Sequence, residues 1–378
     1  MTSQRLSLRQ PRLPWRATSS FVMGVTGMLS RGFLYGLNTV EVTGLQRFLD
    51  ILDKRKDPEK RERGLITVCN HISVMDDPLI WGVLPLRYLF NPSNMRWGLG
   101  AHDICFKNQA LSTFFSLGQV LPTHRLLYSP HGGVFQPTIP EAIRLLSSQP
   151  FSTPKAQETT SPTASSASIP DPFTSGGLTY TTTGTDSHPA PSIYARNRHS
   201  WVHVFPEGCT HQDPRKSLRY FKWGLSRLIL ESEPMPDVLP MFIDGTHDMM
   251  SEDRGFPRFV PRAGAKLRVA FGELLDAERA FGDLRARWRE LVRREEKMMS
   301  SSAQVVRGEL SDELKYGKEA VELRVEVAVR VRSEMEKLRV SLGYPEDDPQ
   351  LGLAETWAKE PAEKGFRSNV DGSLVKKE

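Results

Sequence analysis

The chain is expected to fold as an α/β sandwich, and three observations carry that expectation. Short apolar runs of strand length alternate with helix-period segments along the sequence, the pattern of a mostly parallel sheet covered by helices. Residues able to do chemistry sit where those runs end, the place where sites gather in such sheets. The 378 residues are 39% hydrophobic, with a mean hydropathy of -0.39. That is enough for one large domain or two small ones, and it argues against a polytopic membrane protein. The net charge is +5 and the pI about 9.0. A moderate basic excess suits an anionic membrane surface or a phosphate-bearing substrate. No nucleic acid is expected as a partner, because lysines and arginines are interleaved with glutamates and no nucleic-acid motif is present.

Arg5, Arg9, Arg12, Arg16 and Arg31 all precede the first acidic residue, Glu41. An Arg-rich, acid-free leader is similar to a mitochondrial presequence; the alternative is a basic arm, and residues 1–14 are read as one. Phe21-Val22-Met23-Gly24-Val25-Thr26-Gly27-Met28-Leu29 is apolar, broken by Ser30-Arg31 and resumed to Leu37. It is too interrupted for a span of about 20 apolar residues. Residues 15–46 are therefore read as an interfacial anchor, with Arg16 and Arg31 at headgroup level.

The run Leu65-Ile66-Thr67-Val68-Cys69 reads as a buried strand and leads into Asn70-His71-Ile72-Ser73-Val74-Met75-Asp76-Asp77-Pro78. Imidazole is the side chain best placed to move a proton near neutral pH. A carboxylate on its far nitrogen fixes the tautomer and stabilises the imidazolium. On one helix, positions i and i+5 lie about 140° apart and do not meet. His71 is therefore placed at the strand end and Asp76 in the turn behind it. Asp77-Pro78 reads as the N-cap and first position of a helix. The bland alternative is a capping Asp beside a packed His.

Four further segments follow. Leu111-Ser112-Thr113-Phe114-Phe115-Ser116-Leu117 is a second interfacial candidate, or else a core helix. Gly118-Gln119-Val120-Leu121-Pro122-Thr123-His124-Arg125 is a strand ending in an arginine. Trp201-Val202-His203-Val204-Phe205-Pro206-Glu207-Gly208 is a strand stopped by proline, with a glycine that lets backbone approach a ligand. Leu218-Arg219-Tyr220-Phe221-Lys222-Trp223-Gly224 precedes the strand that begins at Val238-Leu239-Pro240.

Taken in order, Asn70-His71-x4-Asp76, Gly118 to Arg125, Phe205 to Gly208 and Val238-Leu239-Pro240 resemble the four motif blocks of the glycerolipid acyltransferase superfamily. The local wording of these blocks resembles the cardiolipin-remodelling transacylase branch, from about Trp15 to Leu275. Leu126 departs from the pattern, which tends to have glycine there. The resemblance implies a glycerolipid-acyltransferase-like α/β sandwich with interfacial membrane-binding helices. It implies His71 as general base oriented by Asp76, and no cofactor. It implies phospholipid and lysophospholipid substrates (cardiolipin, monolysocardiolipin, phosphatidylcholine) at a mitochondrial membrane facing the intermembrane space. Arg125 is the candidate for substrate phosphate, since its planar fork matches phosphate oxygens. Glu207 is expected to orient a glycerol hydroxyl or hold Arg125, with Arg219 and Lys222 completing an anionic headgroup site. Backbone N–H groups of the block-one turn or Gly208 are expected to hold the oxyanion.

The acyltransferase domain is placed at residues 47–275, interrupted at 147–193 by a Ser/Thr/Pro-rich insert with too few aliphatics to order itself. Residues 276–343 read as charged, amphipathic helices without catalytic residues, and 344–378 as a loose tail. Cys69, Cys105 and Cys209 form no disulfide framework or metal spacing. The rival readings are an acyl-coenzyme-A-dependent lysophospholipid acyltransferase, a metal hydrolase built on His71, Asp76, Asp77, His102 and Asp103, and a non-catalytic membrane scaffold.

Overall fold

A computed structural model describes residues 10–148, 179–251, 254–257, 259–298, 310–358, 366–367 and 374–375. Residues 1–9 of the expected basic arm, 149–178 of the insert and most of the chain beyond 358 lie outside the described residues.

In chain order the main elements are α1 (Leu13–Leu37), β1 (Thr39–Thr43), α2 (Leu45–Lys54), β2 (Leu65–Cys69), α3 (Asp76–Trp81) and β3 (Trp97–Ala101). Next come α4 (Gln109–Leu117), β4 (Val120–Thr123), α5 (Thr138–Leu146), the short strands β5 (Thr179–Tyr180) and β6 (His188–Pro189), and β7 (Trp201–Val204). The chain continues through α6 (Gly224–Glu231), β8 (Asp237–Asp244), β9 (Lys266–Phe271), α7 (Ala277–Met298) and α8 (Lys318–Ser341). Seven strands form one sheet in the order β1-β9-β8-β2-β7-β3-β4. The run β8-β2-β7-β3-β4 is parallel throughout. β9 joins β8 antiparallel and carries β1 parallel to itself at the edge.

The sheet is buried on both faces, which is why its central strands read as continuous apolar runs. Alternate residues of each strand feed different layers. Ile66, Val68, Val202, Val204, Val238 and Phe242 pack under α5, α6, α7 and α8. Leu65, Cys69, Trp201, Leu239 and Met241 pack under α1, α2 and α3. The fold class expected from sequence is therefore the fold observed, an α/β sandwich with helices on both sides.

The anchor segment is one 25-residue helix, α1. Its buried stripe is Ser19, Met23, Gly24, Gly27, Ser30 and Leu34. Gly24 and Gly27 let it lie close to its neighbours: a Cβ there would fall 2.1 Å from the Phe90 ring and 2.6 Å from Leu89. Among the described residues no helix is long and apolar enough to cross a membrane. Arg31, expected at headgroup level, is engaged within the chain. Its Nη1 donates to the carbonyls of Gly82, Val83 and Leu84 at 3.2–3.3 Å, satisfying groups that a helix end leaves unpaired.

Two other expectations are corrected. Residues 179–193 of the insert are ordered: Thr181, Thr182 and Thr183 fold around the Asp186 carboxylate. A run of short polar side chains that cannot build an apolar core builds a hydrogen-bonded turn instead. The start of the tail is also packed. Asp347 is almost fully buried, bonding Arg332 at 2.9 Å and Arg339 at 3.1 Å. Leu323, Val327, Val331 and Met335 of α8 are core residues, each contributing about 1.5–3 kcal/mol on burial. The charged C-terminal helices are thus part of the core that covers the sheet.

Candidate active site

The parallel strands β2, β3, β4, β7 and β8 all deliver their C-terminal ends to one edge of the sheet. His71 follows β2, Asp103 follows β3, Arg125 follows β4, Glu207 follows β7 and Thr246 follows β8. Asn70 fixes the relative height of two of these ends. Its amide accepts from Ile243 N–H at 2.8 Å and donates to Ile243 C=O at 2.9 Å, so β2 stays clamped to β8 just before His71.

His71 Nδ1 lies 2.8 Å from Asp76 Oδ2. The same oxygen accepts the N–H groups of Ile72 at 2.7 Å and Ser73 at 2.9 Å. Oδ1 accepts the Thr246 hydroxyl. Asp76 is fully buried, whereas the His71 side chain keeps 22% of its surface exposed. A carboxylate held by three donors, two from its own turn and one from the segment after β8, cannot swing away, so the imidazole orientation is set. With Nδ1 committed, Nε2 is the nitrogen left to exchange a proton with a substrate. The ring stacks on Phe205, centroids 4.3 Å apart. Helix α3 starts at Asp76 itself, two residues before the expected first position, Pro78. Asp77 does not cap it; its carboxylate pairs with Arg96 and accepts from Trp81 Nε1 at 3.1 Å.

Glu207 is buried, and its role differs from the expectation. It neither faces a substrate hydroxyl nor holds Arg125. Oε1 accepts His71 N–H at 2.8 Å and Oε2 accepts Arg219 N–H at 3.1 Å. One carboxylate therefore ties the backbone of the His71 turn to the loop carrying the cations. Burial outweighs these two hydrogen bonds and pushes its pKa up to about 7.

Arg125 is forked onto Asp103, with Nε to Oδ1 at 3.1 Å, and its guanidinium stacks over Tyr128 at 4.3 Å. Gln136 holds the loop around it, accepting His124 N–H at 2.7 Å and donating to Gly133 C=O at 2.9 Å. Where Leu126 departs from the family pattern, Gly132 lets the returning backbone come close: a Cβ there would sit 2.6 Å from Leu126 N. Arg219 packs against Trp357, 4.0 Å from the ring centroid. Gly208, at φ +67°, does not open space for a ligand directly. A Cβ there would lie 2.8 Å from the Lys222 side chain, so the glycine makes room for the lysine. Burial first, and the guanidiniums of Arg219 and Arg125 after it, hold the Lys222 ammonium below its ordinary value. Arg125, Arg219 and Lys222 thus share one electrostatic neighbourhood.

The backbone donors expected for an oxyanion are already committed. Ile72 and Ser73 N–H go to Asp76, and Gly208 N–H goes to Phe205 C=O at 3.1 Å. The metal-hydrolase residues do not converge on His71: Asp77 and Asp103 serve Arg96 and Arg125. His203 is a core histidine, its Nδ1 2.7 Å from Thr67 Oγ1.

Around the start of α3, the helices α1, α3 and α4 enclose an apolar groove of about 500 Å³ whose walls include Phe21, Val25, Leu29, Met75, Pro78 and Phe114. Phe114 is 45% exposed, so it is not a core residue.

Sequence reading missed four contributing residues. Thr246 binds Asp76 from a loop 170 residues away. The fully buried Arg339 and the nearly buried Arg332, on α8, hold the carbonyls of residues 215, 216, 218 and 219. Trp357, from the expected tail, covers Arg219. Only the run of arginines along α8 was visible in sequence, and it reads as a solvated face.

No family model matches the chain. It is 35% identical to Tafazzin of Saccharomyces cerevisiae over 369 residues, spanning 96% of this chain and 88% of that protein. It is 30% identical to Taffazin of Dictyostelium discoideum over 256 residues, 68% of each. A solved 1-acyl-sn-glycerophosphate acyltransferase of Thermotoga maritima aligns over 75% of this chain and 80% of its own at 16% identity and a TM-score of 0.35, a likeness too distant to bear on activity. The α/β sandwich with this site at its edge is that of a phospholipid acyltransferase. Within that class, the chain belongs to the tafazzin family.

Proposed function

We propose that the chain exchanges acyl groups between a donor phospholipid and a lysophospholipid, with cardiolipin and monolysocardiolipin as the remodelled pair and phosphatidylcholine as the partner lipid. The observation that carries this reading is the His71–Asp76 pair, 2.8 Å apart, whose turn also supplies Met75 and Pro78 to the wall of an apolar groove.

His71 Nε2 takes the proton of the lysophospholipid hydroxyl as its oxygen attacks the ester carbonyl of the donor. The carbonyl becomes a tetrahedral oxyanion, and the imidazolium is stabilised by Asp76. Collapse breaks the bond to the donor's glycerol oxygen, which takes the proton back from His71 and leaves as the new lyso product. One ester is broken and one formed, so the exchange is close to isoenergetic and needs no coenzyme A. The headgroup phosphate is assigned to Arg125, Arg219 and Lys222, whose shared positive field also favours the oxyanion. The chain works at a mitochondrial membrane surface, with α1 and α4 meeting the lipid. Its acyl chains reach His71 along the groove, which keeps the ester at the boundary between apolar and charged surfaces.

The test is acyl exchange between labelled phosphatidylcholine and monolysocardiolipin in liposomes without coenzyme A. Wild type is expected to exchange, and His71→Ala to lose about three orders of magnitude or more. Transfer only on addition of acyl-coenzyme A would replace the transacylase with a thioester-using acyltransferase. Exchange surviving His71→Ala would remove His71 from the mechanism.

A further inference from the structure

We propose that His102, Asp186 and His188 form a binding site for a divalent transition metal, zinc by preference, separate from the acyl-transfer site. His102 opens the short helix that follows β3. Asp186 and His188 belong to the hairpin formed by β5 and β6, inside the Ser/Thr/Pro-rich insert. One ligand atom from each residue lies within 4.8 Å of the others. Asp186 Oδ2 is 3.0 Å from His188 Nε2 and 3.8 Å from His102 Nε2. Donors at bond lengths of about 2.0–2.1 Å around a tetrahedral zinc stand roughly 3.3 Å apart along each edge. The three groups therefore need only shifts of a few tenths of an ångström to about an ångström to enclose an ion.

The surroundings are those of a built site. The other oxygen of Asp186, Oδ1, accepts Thr181 Oγ1–H at 2.7 Å, Thr182 N–H at 2.6 Å and Thr183 N–H at 3.0 Å. Outer donors of this kind aim a ligating carboxylate. Oδ2 faces the two imidazoles and also takes the Thr182 hydroxyl. His102 is held flat by stacking on His124, centroids 4.3 Å apart, and His124 is itself anchored to Thr182 Oγ1 at 2.8 Å. His188 is 5% exposed, and its Nε2 is the ring nitrogen turned toward Asp186. Two imidazoles with one carboxylate suit zinc and its neighbours, whereas magnesium and calcium prefer all-oxygen shells. The His102 and Asp186 side chains keep 26% and 19% exposure, which provides entry and an open fourth position.

The consequence is mechanical. The ion joins the insert hairpin to the end of β3, where the next residue, Asp103, holds Arg125. It steadies the loop that presents the phosphate-binding arginine without touching the reacting atoms.

The experiment is metal uptake by the full chain, stripped with a chelator and titrated with Zn2+ or Mg2+ alone. Bound metal is counted by elemental analysis, and Co2+ substitution is followed by its visible spectrum. One tightly bound Zn2+ per chain is expected, with a tetrahedral-type Co2+ spectrum and no comparable Mg2+ binding. His188→Gln and His102→Gln are each expected to weaken zinc binding about tenfold or more while far-UV circular dichroism stays unchanged. If the buried His188 variant fails to fold, the partly exposed His102 variant decides. Zinc uptake that is absent in wild type, or within twofold of wild type in a folded His102→Gln protein, would overturn the site.

Discussion

Thr246 and His71 sit on opposite oxygens of one buried carboxylate: Asp76 Oδ1 takes the threonine hydroxyl and Oδ2 takes the imidazole Nδ1. In the proposed mechanism Thr246 is therefore a positioning residue for His71. A hydrogen bond to a charged group is worth about 1.5–3 kcal/mol, and part of that is lost in aiming the histidine. Thr246→Val is expected to lower kcat for liposome exchange about tenfold with little change in KM, whereas Thr246→Ser restores most of it. Equal rates for Thr246→Val and wild type would make the contact incidental. Asp76→Asn, which also places an amide against Nδ1, is expected to be far more damaging, on the order of 10³-fold.

Glu207 links the histidine turn to the cation loop through two backbone N–H groups, so it must offer two acceptors. Glu207→Gln turns an NH2 group toward one of those donors, and a loss of at least about tenfold in exchange is expected. The same residue gives a pH signature. Burial raises its pKa from the ordinary 4.5 to about 7. Between those values the folded chain keeps a proton that the unfolded chain has released. Its contribution to stability is therefore full below about pH 4.5 and is lost as pH rises through about 7, by up to about 1 kcal/mol per pH unit. Urea unfolding at several pH values is expected to show wild type falling more steeply than Glu207→Gln across this window. Parallel slopes would mean that Glu207 is ionised throughout.

The fold and the reactive pair were legible in sequence because both are written in short local patterns. A strand-length apolar run ending in Asn-His-x4-Asp states its own geometry, and the cations near Gly208 lie within a few residues of one another. Thr246, Arg332, Arg339 and Trp357 were not legible, since each acts through a contact made only when distant segments meet. Asp186 was hidden for another reason. Its threonine-rich surroundings have the composition of a disordered linker, and only the closed turn reveals that the threonines are its hydrogen-bond donors. Glu207 was found but misassigned, because the motif marks it as important without saying that its oxygens face backbone.

The α8 arginines reach the site through a buried ion cluster. Asp347 accepts Arg332 at 2.9 Å, Arg339 at 3.1 Å and Leu218 N–H at 2.9 Å. Arg332 and Arg339 in turn hold the carbonyls that shape residues 215–219. Removing one partner of a buried ion pair costs about 3–5 kcal/mol because the remaining charge is stranded. Asp347→Ala is expected to lower stability by that order in chemical denaturation. Under conditions where it stays folded, it is expected to raise the KM for anionic lipid more than it lowers kcat. A change in kcat alone would detach the cluster from the headgroup site.

Helix α1 carries a second stripe that is largely exposed among the described residues. Leu13, Phe21, Met28 and Tyr35 recur every seven or eight residues and so share one face. They are 71%, 64%, 45% and 48% exposed, beside Phe90 at 43% and Phe114 at 45%. Such a run of exposed apolar side chains is costly in water, and the proposed function assigns it to lipid contact. Leu13 and Met28 do not line the groove, so changing them separates docking from acyl-chain binding. The double variant Leu13→Asp/Met28→Asp removes two insertions worth about 1.5–3 kcal/mol each. Its partitioning onto cardiolipin-containing vesicles in a sedimentation assay is expected to fall about 100-fold. Exchange between detergent-dispersed lipids, where docking is not needed, is expected to stay within about threefold of wild type, well inside the scatter that a change of 1 kcal/mol produces. Unchanged vesicle binding would place the membrane contact elsewhere on the chain. Loss in detergent as well would show that the stripe supports the fold rather than the surface.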